Sequence, residues 1–346
     1  MRRLVRAVGS VAAFVVVITF AAAAPALACG GLVGENGTIR LNRTATLAAY
    51  HDGVERYVTS FEFTGEGEQV GSIVPLPGVP TKVERGGDWT LQRLAREVAP
   101  PIVERLASPA AAADAAGEVE VLEQTTIDAL DITILRGGGD AVGRWAIDHG
   151  FLLTPDAPEV LDFYSERSPV FMAARFDASR ARDLGQHGGD GTPIMLTIPT
   201  DDPWVPLRIL GLGLDATRVV NADVFLLTDE RPALLAPDRG VTVEQQGEAS
   251  ASLLDDLRSD KGMGWVPESQ WLTYVRVSTP ASELRHDLAV STRPGAAPST
   301  RLAGLTADDL APGGDPPWRL IALLAVVGLP VVVLIVGTTT TRRAEG

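Results

Sequence analysis

Tyr57-Val58-Thr59-Ser60-Phe61-Glu62-Phe63 alternates with the period of a β-strand, placing Tyr57, Thr59, Phe61 and Phe63 on one face. Gly65-Glu66-Gly67 breaks the run and Val70 to Leu76 returns as a second strand, so the spacing predicts a hairpin. Working outward, Thr44 to Tyr50 is a short apolar strand, and Glu118 to Leu135 holds further strand material. More strands are expected at Val170 to Phe176, Pro193 to Ile198, Leu207 to Leu212, Val219 to Leu227, Trp271 to Ser278 and Leu288 to Thr292. Helix signals are fewer. Asp88 is placed to cap a helix from Trp89 to about Val98, which Pro100-Pro101 terminates. Asp140 caps a second that ends at Gly150, Thr154-Pro155 opens a third reaching Glu166, and Leu253 to Arg258 forms a short one closed near Gly262. Strands dominate and helices do not alternate with them one for one. The expected class is α+β, a strand-dominated mixed domain with a few capped helices.

The two ends of the chain place this domain. Met1-Arg2-Arg3 and Arg6 precede an apolar stretch of 14 residues, Val11 to Ala24, which closes on Ala26-Leu27-Ala28. A basic start, a short apolar stretch and small exit residues make a secretory signal over residues 1–28, with the cleavage junction at Ala28 and Cys29. At the other end Leu320 to Val336 is apolar, and Trp318 and Gly337 extend it to the length that spans a bilayer. Trp318 suits the interface, Pro330 is tolerated in a membrane helix, and Arg342-Arg343 puts residues 338–346 in the cytoplasm by the positive-inside rule. A wall-sorting signal would need Leu-Pro-x-Thr-Gly before the span, where this chain has Leu310-Ala311-Pro312-Gly313-Gly314. The span, a C-terminal transmembrane helix over 318–337, is therefore read as a retained anchor. The protein is expected at the cell membrane, single-pass, with its N-terminal domain outside.

Between the ends, residues 29–293 read as one extracytoplasmic domain, with two lobes and a break near 136 as an alternative. Residues 294–317 contain nine Pro or Gly in 24 positions and are expected to be a linker without a stable element. The chain carries a net charge of −14, and residues 29–317 hold 24 basic and 43 acidic side chains, or −19. Nucleic acid and anionic lipid headgroups both need a basic surface, so neither is an expected partner. Arginine outnumbers lysine 28 to 2, which reads as the coding bias of a GC-rich bacterium. Cys29 is the single cysteine, so no internal disulfide forms and stability rests on core packing. Cys29 would be the acylated residue of a lipoprotein, but Ala26-Leu27-Ala28 lacks the bulky aliphatic residue usual three places before it.

Short sequence words resemble the bacterial family known as domain of unknown function 2330. They are Cys29-Gly30-Gly31, Phe61-Glu62-Phe63, Ile73-Val74-Pro75-Leu76-Pro77 with Pro80, Gly150 with Leu153-Thr154-Pro155, Tyr164 before Phe171, and Val205-Pro206-Leu207-Arg208. The resemblance covers most of residues 29–230. It implies an exported, often anchored bacterial protein, and it supplies no activity and no catalytic residues.

Chemistry is sparse. Gly211-Leu212-Gly213-Leu214-Asp215-Ala216 spells a dinucleotide fingerprint, but Thr217-Arg218-Val219-Val220 continues as strand where a helix N-terminus should meet the pyrophosphate. No Gly-x-Ser-x-Gly elbow is present. Each of four histidines lies near an acid in sequence: His51-Asp52, Asp148-His149, His187 with Asp190, and Glu283-His286-Asp287. None shows the local spacing of a zinc site, so no metal and no cofactor are expected, and no catalytic residue is assigned. Two classes of function remain. One is a non-catalytic ectodomain binding an envelope protein, peptide or polymer, and it is preferred. The other is a divergent extracytoplasmic hydrolase, with or without a metal, which would have to gather two or more of the histidines with acids in one pocket.

Overall fold

The computed structural model describes residues 31–34, 44–61, 69–99, 119–186, 192–307 and 309. In chain order the strands of the first half are β1 (Gly31–Gly34), β2 (Thr44–His51), β3 (Val54–Phe61), β4 (Gln69–Pro75), β5 (Lys82–Arg85), β6 (Glu120–Ile127), β7 (Leu130–Arg136) and β8 (Val170–Asp177). The second half adds β9 (Thr192–Pro199), β10 (Trp204–Val205), β11 (Val219–Thr228), β12 (Ala233–Leu235), β13 (Val241–Glu248), β14 (Trp271–Pro280) and β15 (Leu288–Ser291). The helices are α1 (Thr90–Val98), α2 (Gly139–Asp148), α3 (Ala157–Ser165), α4 (Ala178–Asp183), α5 (Ala251–Ser259) and α6 (Thr300–Ala303). The strand-dominated α+β class holds. No helix among the described residues is long and apolar enough to cross a membrane. The expected signal, Ala28, Cys29 and the C-terminal span lie outside the described residues.

The strands form a five-stranded sheet in the order β1-β4-β8-β7-β6, a seven-stranded sheet in the order β13-β14-β11-β2-β3-β9-β5, and a small sheet β10-β15-β12. Neighbours are antiparallel throughout except β2 and β11, which run parallel. Three apolar clusters stack these sheets into four layers. Ile132, Ile134, Met172 and Val74 of the five-stranded sheet pack on Tyr57, Leu196, Val224 and Leu226 of the seven-stranded one. The outer face of the smaller of these two sheets carries α2 and α3 through Ile73, Leu135, Phe171, Trp145 and Leu161. The outer face of the larger carries α1 and α5 through Leu47, Val58, Phe225, Leu94 and Leu257. Strands covered on both sides lose alternation, which is why Tyr57, Val58, Thr59 and Ser60 are all fully buried.

The structure corrects several local expectations. Residues 70–76 do not pair with the described part of the run, 57–61: β3 lies between β2 and β9, and β4 joins the other sheet between β1 and β8. Both edges of β3 are filled, because Asp52-Gly53 turns β2 directly into it with both residues at positive φ, 51° and 75°. Asp88 does not cap α1, whose N-cap position is Trp89 with no side-chain cap bond; the entry to the helix is held by Asp260, whose carboxylate accepts from Asp88 N and Trp89 N at 3.0 Å and from Thr90 Oγ1 at 2.8 Å. Asp140 sits in the first turn of α2, after an N-cap at Gly138, and α3 starts two residues beyond Pro155, at Ala157. Leu207 to Leu212 is no strand: Arg208–Gly211 is a turn of 3-10 helix. Buried Asp287 Oδ1 accepts from Leu207 N at 2.7 Å, Arg208 N at 3.0 Å and the Tyr164 hydroxyl at 2.8 Å, and that hydroxyl accepts from Ile209 N. Burial pushes the Asp287 carboxyl up to about 6 against those bonds. A division near residue 136 would cut β7 from β8, which pair from Leu130↔Phe176 to Arg136↔Val170. The Pro/Gly-rich segment is not structureless at its start. Ser299 caps α6, Gly304 closes it at φ 82°, and Leu302 and Ala303 are buried beside α3.

Candidate functional site

The described histidines go to three separate places. His51 sits on the β2–β3 turn, its Nδ1 2.6 Å from Asp229 and its Nε2 3.3 Å from Asp52. His286 Nδ1 lies 2.6 Å from buried Asp238, with Asp309 at 3.8 Å from Nε2. His149 closes α2, its ring stacked on Trp145 at 4.0 Å and 17°. His187 lies outside the described residues. Among the described residues, His51, Asp52 and Asp229 form the one grouping with three ligand atoms within 4.8 Å of one another, and it is exposed. Asp229 there also accepts from Gln270 Nε2 at 2.7 Å. After Gly213, at φ 71°, the fingerprint-like segment runs into β11, with no helix N-terminus to receive a phosphate.

A groove of about 430 Å³ opens on the outer face of the five-stranded sheet, where α2 and α3 leave β6, β7 and β8 uncovered. Its floor follows the register. Thr126 of β6 pairs with Asp131 of β7, which pairs with Arg175 of β8; in the next row Gln124, Thr133 and Ala173 lie side by side. Alternation along each strand aims these positions outward, while Ile132 and Ile134 point into the core between the sheets. Small side chains at Thr133 and Ala173 make the depression. One wall is aromatic: Trp145 and Phe151, ring centres 6.0 Å apart, with His149 against Trp145. Phe151 reaches over β4 because Gly71 lies beneath it; a Cβ there would run into the ring.

The groove is charge-balanced. Asp131 accepts from Arg180 Nη2 at 2.7 Å and Thr126 Oγ1 at 3.0 Å, with Arg175 Nη2 at 3.4 Å. Of the charged groups that line the groove, then, one guanidinium faces one carboxylate, and Arg180 with Asp177, 3.9 Å apart, lies outside the lining. His149 Nδ1 lies 2.7 Å from the carbonyl oxygen of Trp145. A carbonyl only accepts, so Nδ1 carries the proton and a neutral ring leaves Nε2 as an acceptor. Of these groups the sequence singled out only His149, and by its neighbour Asp148, whereas its partner is Trp145 one turn back.

A second unusual group lies deeper. Glu55 on β3 is fully buried with no hydrogen bond to either carboxylate oxygen. Ala48, Leu226, Val290 and Trp204 line a void of about 10 Å³ beside it. Burial alone raises its carboxyl to about 8.

Among solved structures the chain is similar to baculovirus P35. The P35 crystal structure gives a TM-score of 0.41 at 9% identity, covering 76% of this chain and 99% of that one. A mutated P35 after caspase cleavage gives 0.34 at 9% identity, covering 72% and 93%. The P35 chain in a caspase-8/P35 complex gives 0.34 at 8% identity, covering 73% and 91%. No curated protein matches the chain. The sequence pattern of domain of unknown function 2330, described as an uncharacterized protein conserved in bacteria, matches residues 22–290, and the chain belongs to that family.

Proposed function

We propose that this is an exported envelope protein, anchored by one C-terminal span with its tail in the cytoplasm, whose domain binds an envelope component without catalysing a reaction. The observation that carries the binding reading is the groove, a concave site with an aromatic wall and convergent polar groups on a rigid sheet. The three described histidines occupy different elements with different partners, which favours binding over a divergent hydrolase. The signal-like residues 1–28, the apolar stretch 318–337 and Arg342-Arg343 support the topology. Protease added to intact spheroplasts should remove the domain and spare a C-terminal tag. A protected domain would overturn the topology. Retention of purified cell-envelope material by the full chain should weaken when His149 or Arg175 is replaced by alanine. Unchanged retention in both variants would remove the groove from the reading.

A further inference from the structure

We infer that the groove takes an uncharged oligosaccharide; this rests on the binding reading above and names its ligand class. Three features select against charged ligands and in favour of a hydroxyl-rich one. The charged lining groups balance, with Arg175 set against Asp131 at 3.4 Å and Asp131 also held by Arg180 behind it, so no unpaired charge waits for a phosphate, a carboxylate or an ammonium. Residues 29–317 carry −19, which further disfavours an anionic polymer at the rim. The lining groups supply both hydrogen-bond senses over a short distance: Nε2 of a neutral His149 accepts, the Arg175 guanidinium donates, and exposed Gln124 does both. A sugar hydroxyl, donor and acceptor at once, matches such a mixture. The accessible margin of the Trp145–Phe151 wall, 9% and 4% of those residues, offers an apolar edge to a sugar ring.

An extended peptide is the competing occupant, and it would pair with β6, the edge strand of this sheet among the described residues. That edge is guarded. A bulge interrupts β6 between Val121 and Glu123, and Glu120 and Glu123 add charge along it. Bulges and edge charges are how sheets refuse an added strand. The volume, about 430 Å³, lies in the range of small-ligand sites, roughly 300–1,000 Å³.

The test titrates the full chain, in a detergent without a sugar headgroup, with cellotetraose, chitotetraose and maltotetraose, followed by tryptophan fluorescence and calorimetry. At least one tetrasaccharide should bind saturably. His149→Ala and Arg175→Ala should each weaken it by tenfold or more with unchanged unfolding midpoints, while Arg276→Ala on the other sheet leaves it intact. No saturable binding by any of the three, or binding indifferent to both groove variants, overturns the saccharide. Loss of a bound envelope peptide in the same two variants would also overturn it, yet leave the binding reading standing. Binding of whole envelope material that ignores both variants would sink the two together.

Discussion

Replacing Glu55 by methionine should stabilise the domain, and more so as the pH rises. The carboxyl is fully buried, neither oxygen has a partner, and the void beside it is lined mostly by apolar residues, among them Ala48, Leu226, Val290 and Trp204, with Tyr50 and Thr228. Burial raises it from 4.5 to about 8. The folded state therefore holds this proton more tightly than the unfolded state. Stability from this group is fully present below about pH 4.5 and is lost as pH rises to about 8. At about 1.4 kcal/mol per pH unit, the loss is on the order of 3 kcal/mol at pH 7 and 5 kcal/mol at pH 8 and above. Methionine is unbranched and of similar length, so it keeps the packing and removes the titration. Denaturant unfolding of the full chain in detergent, at half-unit steps from pH 4.5 to 8.5, gives both curves. The difference between variant and wild type cancels every other titrating group. It should grow by several kcal/mol across that window, and Glu55→Gln should flatten the profile in the same way. Parallel curves for wild type and Glu55→Met would refute the claim that an unpaired carboxyl is buried there.

Asp260→Ala should cost about 1–2 kcal/mol, measured as a shift in denaturation midpoint, because it strips three hydrogen bonds from the start of α1; Asp88→Ala should cost far less. Chelation with EDTA should leave the melting midpoint of the purified chain unmoved, and elemental analysis without a His tag should find no stoichiometric zinc; zinc lost in His51→Ala would reverse this. Cys29→Ser should leave stability unchanged, and disappearance of acyl-chain labelling in that variant would show the cysteine to be lipidated.

The well-marked strands were legible because they are short apolar runs between turn residues, as at Val170 to Phe176 and Val219 to Leu227. What failed was settled by partners distant in the chain. Leu207 to Leu212 is apolar enough for a strand, but Asp287, 80 residues away, gathers its amides into a turn. The entry to α1 is held by Asp260, 172 residues beyond Asp88. β13 escaped notice because it is an edge strand with Thr242, Glu244, Gln245 and Gln246 exposed. Glu55 was readable: extending the Tyr57 alternation backward puts it on the same buried face. The groove was not, since α2 and three strands contribute it and none of its residues makes a local pattern.

The parallel pairing of β2 with β11 has a consequence in time. The β2–β3 hairpin can close once residue 61 has cleared the ribosome and the export channel, but both of its edges then stay open. β9 begins at Thr192 and β11 at Val219, 168 residues after β2 ends at His51. At about 5–20 residues per second, the hairpin waits roughly ten to thirty seconds for the strand that closes its β2 edge. Throughout that interval Leu47, Tyr57 and Val58, wholly buried in the finished domain, face solvent or a chaperone. Residues 44–61 are thus the part of the nascent chain most exposed to wrong pairing, and slow synthesis past residue 61 should lower the yield of folded protein.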